Sequence, residues 1–407
     1  MQSRIILVFD PEASGHHMEY LRHLFTCLEP TIPSAKIVLL TTQSAAEHPN
    51  FQRLAADFGH LMQIRIARPI GPKTFMQRLM PAFAGRQSEN AAILAQGIDD
   101  FGPENVGCVL LAHLEAIGVL NLALWPGILR GRPWLAIMIG VRYHHRQVGI
   151  AGPFRWQDFV QRWLFEKILR QAELVRIAVI DPYFVDTLNH PKVSWSPDPV
   201  IPPRLTNAQQ ARASYGLRPE TCVILVFGFI SHRKCIDALL AGVARLAPSL
   251  DVTVFLAGTQ HGRLRQGLAN NEIARTLREN GRLIEVDRYI MDDQDLDPMS
   301  TADICWVLYD QTWVMPSGVL LLAAVAGRAV ICRRQGVIGR LVEENQCGLA
   351  LTSDHPATIA AAITKLAHDP ALRDRMGANG RRAFAGQTPE RFAQPIIDAI
   401  IPLLSAS

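Results

Sequence analysis

The chain has 407 residues, 49% of them hydrophobic and 19% charged, enough apolar content for roughly two or three packed domains and too much for a disordered chain. A formal net charge of +4 is too small to call for nucleic acid as a partner. The seven cysteines are scattered, odd in number and without a Cys-x-x-Cys pair, which argues against a disulfide framework and a thiolate metal site.

Mean hydropathy is +0.11, so membrane spans were sought. The two longest apolar runs, 109–125 and 318–332, are broken by His113, Glu115 and Asn121 in the first and Arg328 in the second. Neither reaches the roughly 20 uninterrupted apolar residues a spanning helix needs. The run at 5–9 is too short for a signal-peptide core. The chain reads as soluble and cytoplasmic.

Residues 4–9 form a continuous apolar strand of the kind buried on both faces of a parallel sheet, followed by a turn-rich loop (Asp10 to His17) and an amphipathic helix over 18–28. Strands are predicted at 36–41, 61–67, 107–112, 135–140 and 174–180, alternating with helical stretches. Residues 190–207 carry five prolines and read as a helix-free connector. The alternation then restarts, with strands at 222–227, 251–257, 283–286, 304–309 and 329–332 and helices at 236–246, 270–280, 319–326 and 358–368. The fold class is α/β, with two Rossmann-like, doubly wound parallel-sheet domains facing a cleft. The first domain is placed at 1–195, a Pro-rich linker at 196–210, the second domain at 211–385, and a C-terminal helix at 386–407 packs back on the first. Ligands of such sheets bind outside the carboxyl ends of the strands.

Four features of the second half converge there. A strand ends in Gly228 and runs through Arg233 and Lys234 into a helix; a lysine and open helix amides suit a diphosphate. A second strand ends in Gly258. A third leads into Arg288, Tyr289 and Ile290, whose backbone is placed to read a nucleobase edge. Finally, Ser317, Gly318 and Val319 stand at the start of a helix, offering a second set of amides to an anion.

These residues resemble the GT-B glycosyltransferases of family four, retaining enzymes that use nucleotide sugars. The resemblance covers essentially the whole chain and is strongest from Val223 to Leu351. It includes the Gly228 to Lys234 loop, the apolar helix from Gly318 to Gly327, and the segment from Gly336 to Leu351. It implies that Gly15 and His16 lie beneath the donor sugar and that His113 stands near the transferred sugar. It further implies retention without a protein nucleophile, metal or cofactor, the nucleotide diphosphate sugar itself being the donor substrate. The family's two glutamates are replaced by Met315 and Ala323, and its arginine after the loop glycine by Phe229, so Arg233 is assigned the second cation. The reading is a variant donor site.

The expected activity moves a hexose from a UDP- or GDP-linked sugar to a glycan, lipid-linked or small acceptor. His113, Lys234 and Arg233 are the catalytic candidates, and Arg142, His144 and His145, just after a strand of the first domain, are the acceptor-side candidates. A sugar-nucleotide epimerase and a non-catalytic relative are the alternatives. Asp295 and Asp297 form a DxD pattern, read as helix-cap or loop residues rather than a metal site. From Arg130 to Arg176 there are nine Lys/Arg against three carboxylates. Within that stretch Trp156, Phe159, Val160 and Trp163 share a helical face. An interfacial helix on anionic membrane, at the inner face, competes there with an ordinary core helix.

Overall fold

The computed structural model describes residues 4–13, 17–32, 35–68, 82–150, 152, 155–290 and 298–405. The chain divides into two compact units. One comprises Met1–Val148, Phe154–Pro199 and Gln387–Ser407, the other Gly149–Pro153 and Val200–Gly386.

The first unit is built on seven parallel strands: β1 Ile5–Phe9, β2 Lys36–Thr41, β3 Met62–Ile66, β4 Val106–Leu111, β5 Trp134–Met138, β6 Leu174–Val179 and β7 Val193–Trp195. Their order in the sheet is β3-β2-β1-β4-β5-β6-β7. All five residues of β1 are buried because both faces are covered. Ile5, Leu7 and Phe9 join one core with the helices Ala82–Phe101 and Gln157–Leu169, while Ile6 and Val8 join the other with His17–Thr31. The terminal helix Pro389–Ser405 completes that second core with Phe392, Ile396 and Ile400, and Ser196 Oγ donates to Phe392 O at 2.6 Å.

The second unit has six parallel strands: β8 Cys222–Phe227, β9 Val252–Ala257, β10 Leu283–Val286, β11 Ile304–Val307, β12 Ala329–Arg333 and β13 Gly348–Leu351, in the order β10-β9-β8-β11-β12-β13. Here too alternate residues serve opposite cores: Ile224 and Val226 on one side, Val223 and Leu225 on the other.

Two local outcomes differ from the sequence expectation. Residues 193–195, inside the expected connector, form the edge strand β7, pairing Ile177 with Val193. Pro191 and Pro197 bracket a proline-free triplet, and only an edge position tolerates such neighbours. The helix expected over 270–280 is present as Glu272–Glu279, and an unexpected helix, Gly262–Ala269, precedes it. Asn271 separates them and caps the second, its side chain accepting from Ala274 N at 3.0 Å.

Candidate functional site

In each sheet the strand order reverses once: between β1 and β4 in the first unit, and between β8 and β11 in the second. The loops leaving such a pair part to opposite faces and open a crevice at the carboxyl ends. Each crevice holds buried titratable side chains, Asp10 and His113 in the first unit and Lys234 in the second.

In the second unit, Gly228 follows β8 with φ of +85°, a backbone state that favours glycine. A Cβ built on it would lie 3.8 Å from Val319 and 4.0 Å from the Lys234 amine, so loop, lysine and helix start converge on one point. Gly258, after β9, packs backbone to backbone against Gly228: a Cβ there would sit 2.0 Å from the Gly228 oxygen. The Lys234 amine is buried and donates to the Phe227 carbonyl at the end of β8, and the indole of Trp306 in β11 donates to the Lys234 carbonyl at 2.8 Å. Lys234 is thus held in place by the sheet end itself.

Burial, reinforced by the charge of Arg233, lowers the Lys234 ammonium to about 7. Tyr309, just past β11, shares a 3.0 Å hydrogen bond with the Ser317 hydroxyl and stacks on Trp313 with ring centroids 5.6 Å apart. Burial raises its phenol, so it stays protonated. Arg233 is exposed, its guanidinium 4.6 Å from the Trp313 ring centroid. Among the described residues no side chain caps the helix Gly318–Val325, although Ser317 stands at its N-cap, and the start of that helix lies beside Gly228 and Lys234.

Sequence reasoning missed Tyr309 and Trp313. Their only sequence signal was their position directly after an apolar strand. Arg288, Tyr289 and Ile290 follow β10, the edge strand two places from β8, which sets them at the rim of the sheet. Ala323, expected at a donor-facing position, is wholly buried in the core; the half-buried residues of its helix are Gly318, Val319 and Leu322. Asp295 and Asp297, like Gly15 and His16, lie outside the described residues.

In the first unit, Asp10 after β1 accepts or shares a proton with His17 Nδ1 at 2.7 Å. The His17 ring lies 3.8 Å from that of His113, which follows β4 and stacks at 5.5 Å on Tyr20. Tyr20 donates to Asp198 at 2.8 Å. Burial raises the Asp10 carboxyl. Burial works to lower His17, but Asp10 outweighs it and the imidazole titrates above its ordinary value. Glu115, raised by burial, accepts from the Ile139 amide at 2.8 Å. Of this group only His113 was singled out from the sequence as a site residue. Asp10 directly follows the first strand and His17 opens the helix after it, and residue types alone do not show that the two side chains meet.

The acceptor-side candidates turn inward. His144 and His145 are buried against Asp181, and Arg142 is half-buried with Nε 3.7 Å from Asp158. The two histidines therefore offer no exposed surface to an acceptor. Among the described residues two groups could ligate a metal, Asp10 with His17 and His113, and His144 with His145 and Asp181, each with ligand atoms within 4.8 Å of one another.

The two Rossmann-like units define a GT-B fold. Sucrose-phosphate synthase from Thermosynechococcus elongatus superposes with a TM-score of 0.69 at 17% identity, covering 99% of this chain and 100% of that one. HepE of Anabaena, solved with UDP and glucose, gives 0.67 at 15% identity over 98% and 100%. Within the second unit, residues 221–369 match the family described as glycosyl transferases group 1. The chain is also similar to D-inositol 3-phosphate glycosyltransferase 2 of Catenulispora acidiphila, 26% identical over 61% of this chain and 60% of that one. The chain thus spans less than two thirds of the length of the curated relatives it matches.

Proposed function

We propose that this protein is a glycosyltransferase that moves a hexose from a UDP- or GDP-linked sugar to a glycan, lipid-linked or small acceptor. Transfer proceeds with retention and without a metal at the donor diphosphate. The observation that carries the reading is the meeting of Gly228, Lys234 and the uncapped Gly318–Val319 helix start at the strand-order reversal of the second sheet. A leaving diphosphate develops charge as the glycosyl bond breaks, and fixed cationic and amide donors stabilise that charge most when they need not reorganise. The second cation is Arg233. The base contact falls to the rim segment Arg288–Ile290, and His113 in the first unit is the catalytic candidate for the transferred sugar.

Calorimetry with UDP and GDP, followed by a transfer assay over a panel of nucleotide sugars, tests this. Binding of one nucleotide below millimolar concentration with sugar transfer is the expected result. Binding with interconversion of the free nucleotide sugar would favour an epimerase, and binding of neither nucleotide a non-catalytic relative. Affinity also carries a pH signature. Because the free Lys234 amine loses its proton near pH 7, nucleotide binding above that pH takes up a proton, and affinity falls as pH rises from about 7 to 9, by up to about tenfold per unit. A flat profile over that range would remove Lys234 from the diphosphate.

A lipid-linked acceptor is favoured by one surface. The helix Gln157–Leu169 buries Leu164, Phe165, Ile168 and Leu169, yet Trp156, Phe159, Val160 and Trp163 on its other side are exposed. The neighbouring helix Val119–Leu124 and the residue after it add exposed Leu120, Leu124 and Trp125. Lys167 sits 4.3 Å from the Trp163 ring centroid, within the stretch of nine cations and three carboxylates. Exposed aromatics amid excess cations match an anionic bilayer surface. Co-sedimentation with phosphatidylglycerol vesicles at low salt is expected, with little on neutral vesicles. Replacing Trp156, Phe159 and Trp163 together by serine should cut binding about tenfold or more. Equal recovery of both proteins would dismiss the surface.

A further inference from the structure

The first unit holds a second polar cluster that the transfer reaction does not use. His144 and His145 lie in the segment after β5, and Asp181 stands directly after β6. These are neighbouring strands with no reversal of order between them, so the cluster is not at the switch point where Asp10, His17 and His113 gather. All three residues are buried: His144 and Asp181 to 0% and His145 to 4% exposure. His144 Nε2 is 3.1 Å from Asp181 Oδ2, a hydrogen bond. His145 Nε2 is 3.6 Å from the same oxygen, too long for one, and among the described residues it has no hydrogen-bond partner. The same holds for His144 Nδ1.

Buried polar atoms are nearly always satisfied, and the orphaned His145 nitrogen facing a buried carboxylate calls for a cause. Asp181 has its own structural duty. Its Oδ1 accepts from the Tyr183 amide at 3.0 Å, capping the helix Pro182–Leu188, which fixes the carboxylate and leaves Oδ2 aimed at the two rings. Around them Phe184 packs edge-on against His144 at 5.1 Å and against Phe165 at 5.2 Å, an apolar wall that keeps the rings oriented.

We propose that His144, His145 and Asp181 form a binding site for a divalent transition-metal ion. Two imidazoles and one carboxylate are a borderline nitrogen–oxygen donor set that suits zinc, with a fourth position left for water. Ligand atoms already within 4.8 Å of one another need only a small contraction to reach a common ion. Such an ion would satisfy the His145 nitrogen and neutralise the buried carboxylate. Binding through His144 Nε2 moves its proton to Nδ1 or releases it. The ion would tie the segment after β5 to the helix after β6, a structural role within the first unit and independent of the proposed transfer chemistry.

The test uses the full chain, stripped with chelator and titrated with zinc chloride by calorimetry, with cobalt(II) as the spectroscopic probe. The expected result is one tightly bound equivalent, cobalt d–d bands of a low-coordinate site, and a zinc-dependent rise in melting temperature. His145→Ala should weaken binding on the order of a hundredfold. Asp181→Asn, which retains a capping oxygen, should do the same, and both should abolish the melting shift. His145→Gln serves if the alanine variant does not fold. His17→Ala separates this cluster from the one at the switch point and should leave zinc affinity unchanged. No stoichiometric binding, equal affinity in wild type and the His145 and Asp181 variants, or loss confined to His17→Ala would overturn the proposal.

Discussion

Lys234→Met is expected to lower kcat/KM for the nucleotide sugar by about a hundred- to a thousandfold, the scale of removing one preorganised donor from a developing oxyanion. Methionine is the informative replacement because it keeps most of the side-chain volume at a position only 5% exposed, so packing loss stays small while the charge is lost. Among the described residues the amine donates to the Phe227 carbonyl at the strand end, and the guanidinium of Arg233 nearby opposes its protonation. A buried cation held beside another cation has no stabilising counter-charge among the groups that shift it, and the proposed diphosphate would supply one. Lys234→Arg should not restore activity, because a longer planar fork does not fit a space shaped around one ammonium. Nucleotide affinity measured beside the kinetics separates ground-state from transition-state loss. Unchanged kcat/KM in a folded Lys234→Met variant would place the diphosphate elsewhere.

What the residues alone disclosed follows from which forces are local. Strands buried on both faces announce themselves as apolar runs, so β1, β4, β8 and β11 were legible within a residue or two. The edge strands β7 and β13 were not. β7 is three residues set among prolines, and β13 carries a glycine and an alanine in four residues, so neither shows the run of large apolar side chains that marks β8 or β9. The Gly228 to Lys234 loop was visible because its chemistry is contained in one short stretch. Tyr309 with Ser317, and Asp10 with His17 and His113, were not visible as groups, since their meeting depends on the order of strands in the sheet. The same limit misplaced His144 and His145. A polar pair after a strand looks like loop surface until a helix-capping aspartate from the end of the next strand is folded over it.

Gly258→Ala should be among the most damaging single-methyl additions in the second unit. At φ of +137° an alanine is strained in any surroundings, and its Cβ would lie 2.0 Å from the oxygen, 2.7 Å from the carbonyl carbon and 3.0 Å from the nitrogen of Gly228. These are backbone atoms, held by the Gly228 amide donating to Ala257 O at 3.0 Å and the Gly258 amide donating to Val286 O at 3.0 Å, so no side-chain rotation relieves the clash. Backbone strain and overpacking together predict a loss of about 3–5 kcal/mol, read as a fall in urea midpoint at constant slope. Any molecule that remains folded must push the Gly228 loop, and with it the approach to Lys234, out of place, so nucleotide affinity should fall as well. Gly228→Ala is the contrasting case. Its Cβ meets nothing nearer than 3.8 Å, so only the left-handed backbone opposes it, at about 1–2 kcal/mol. That methyl would point at the Lys234 amine and Val319, where the diphosphate is proposed to sit, so binding should suffer more than stability. Equal stability losses with unimpaired nucleotide binding in both variants would show that the two glycines serve only the packing of strand ends.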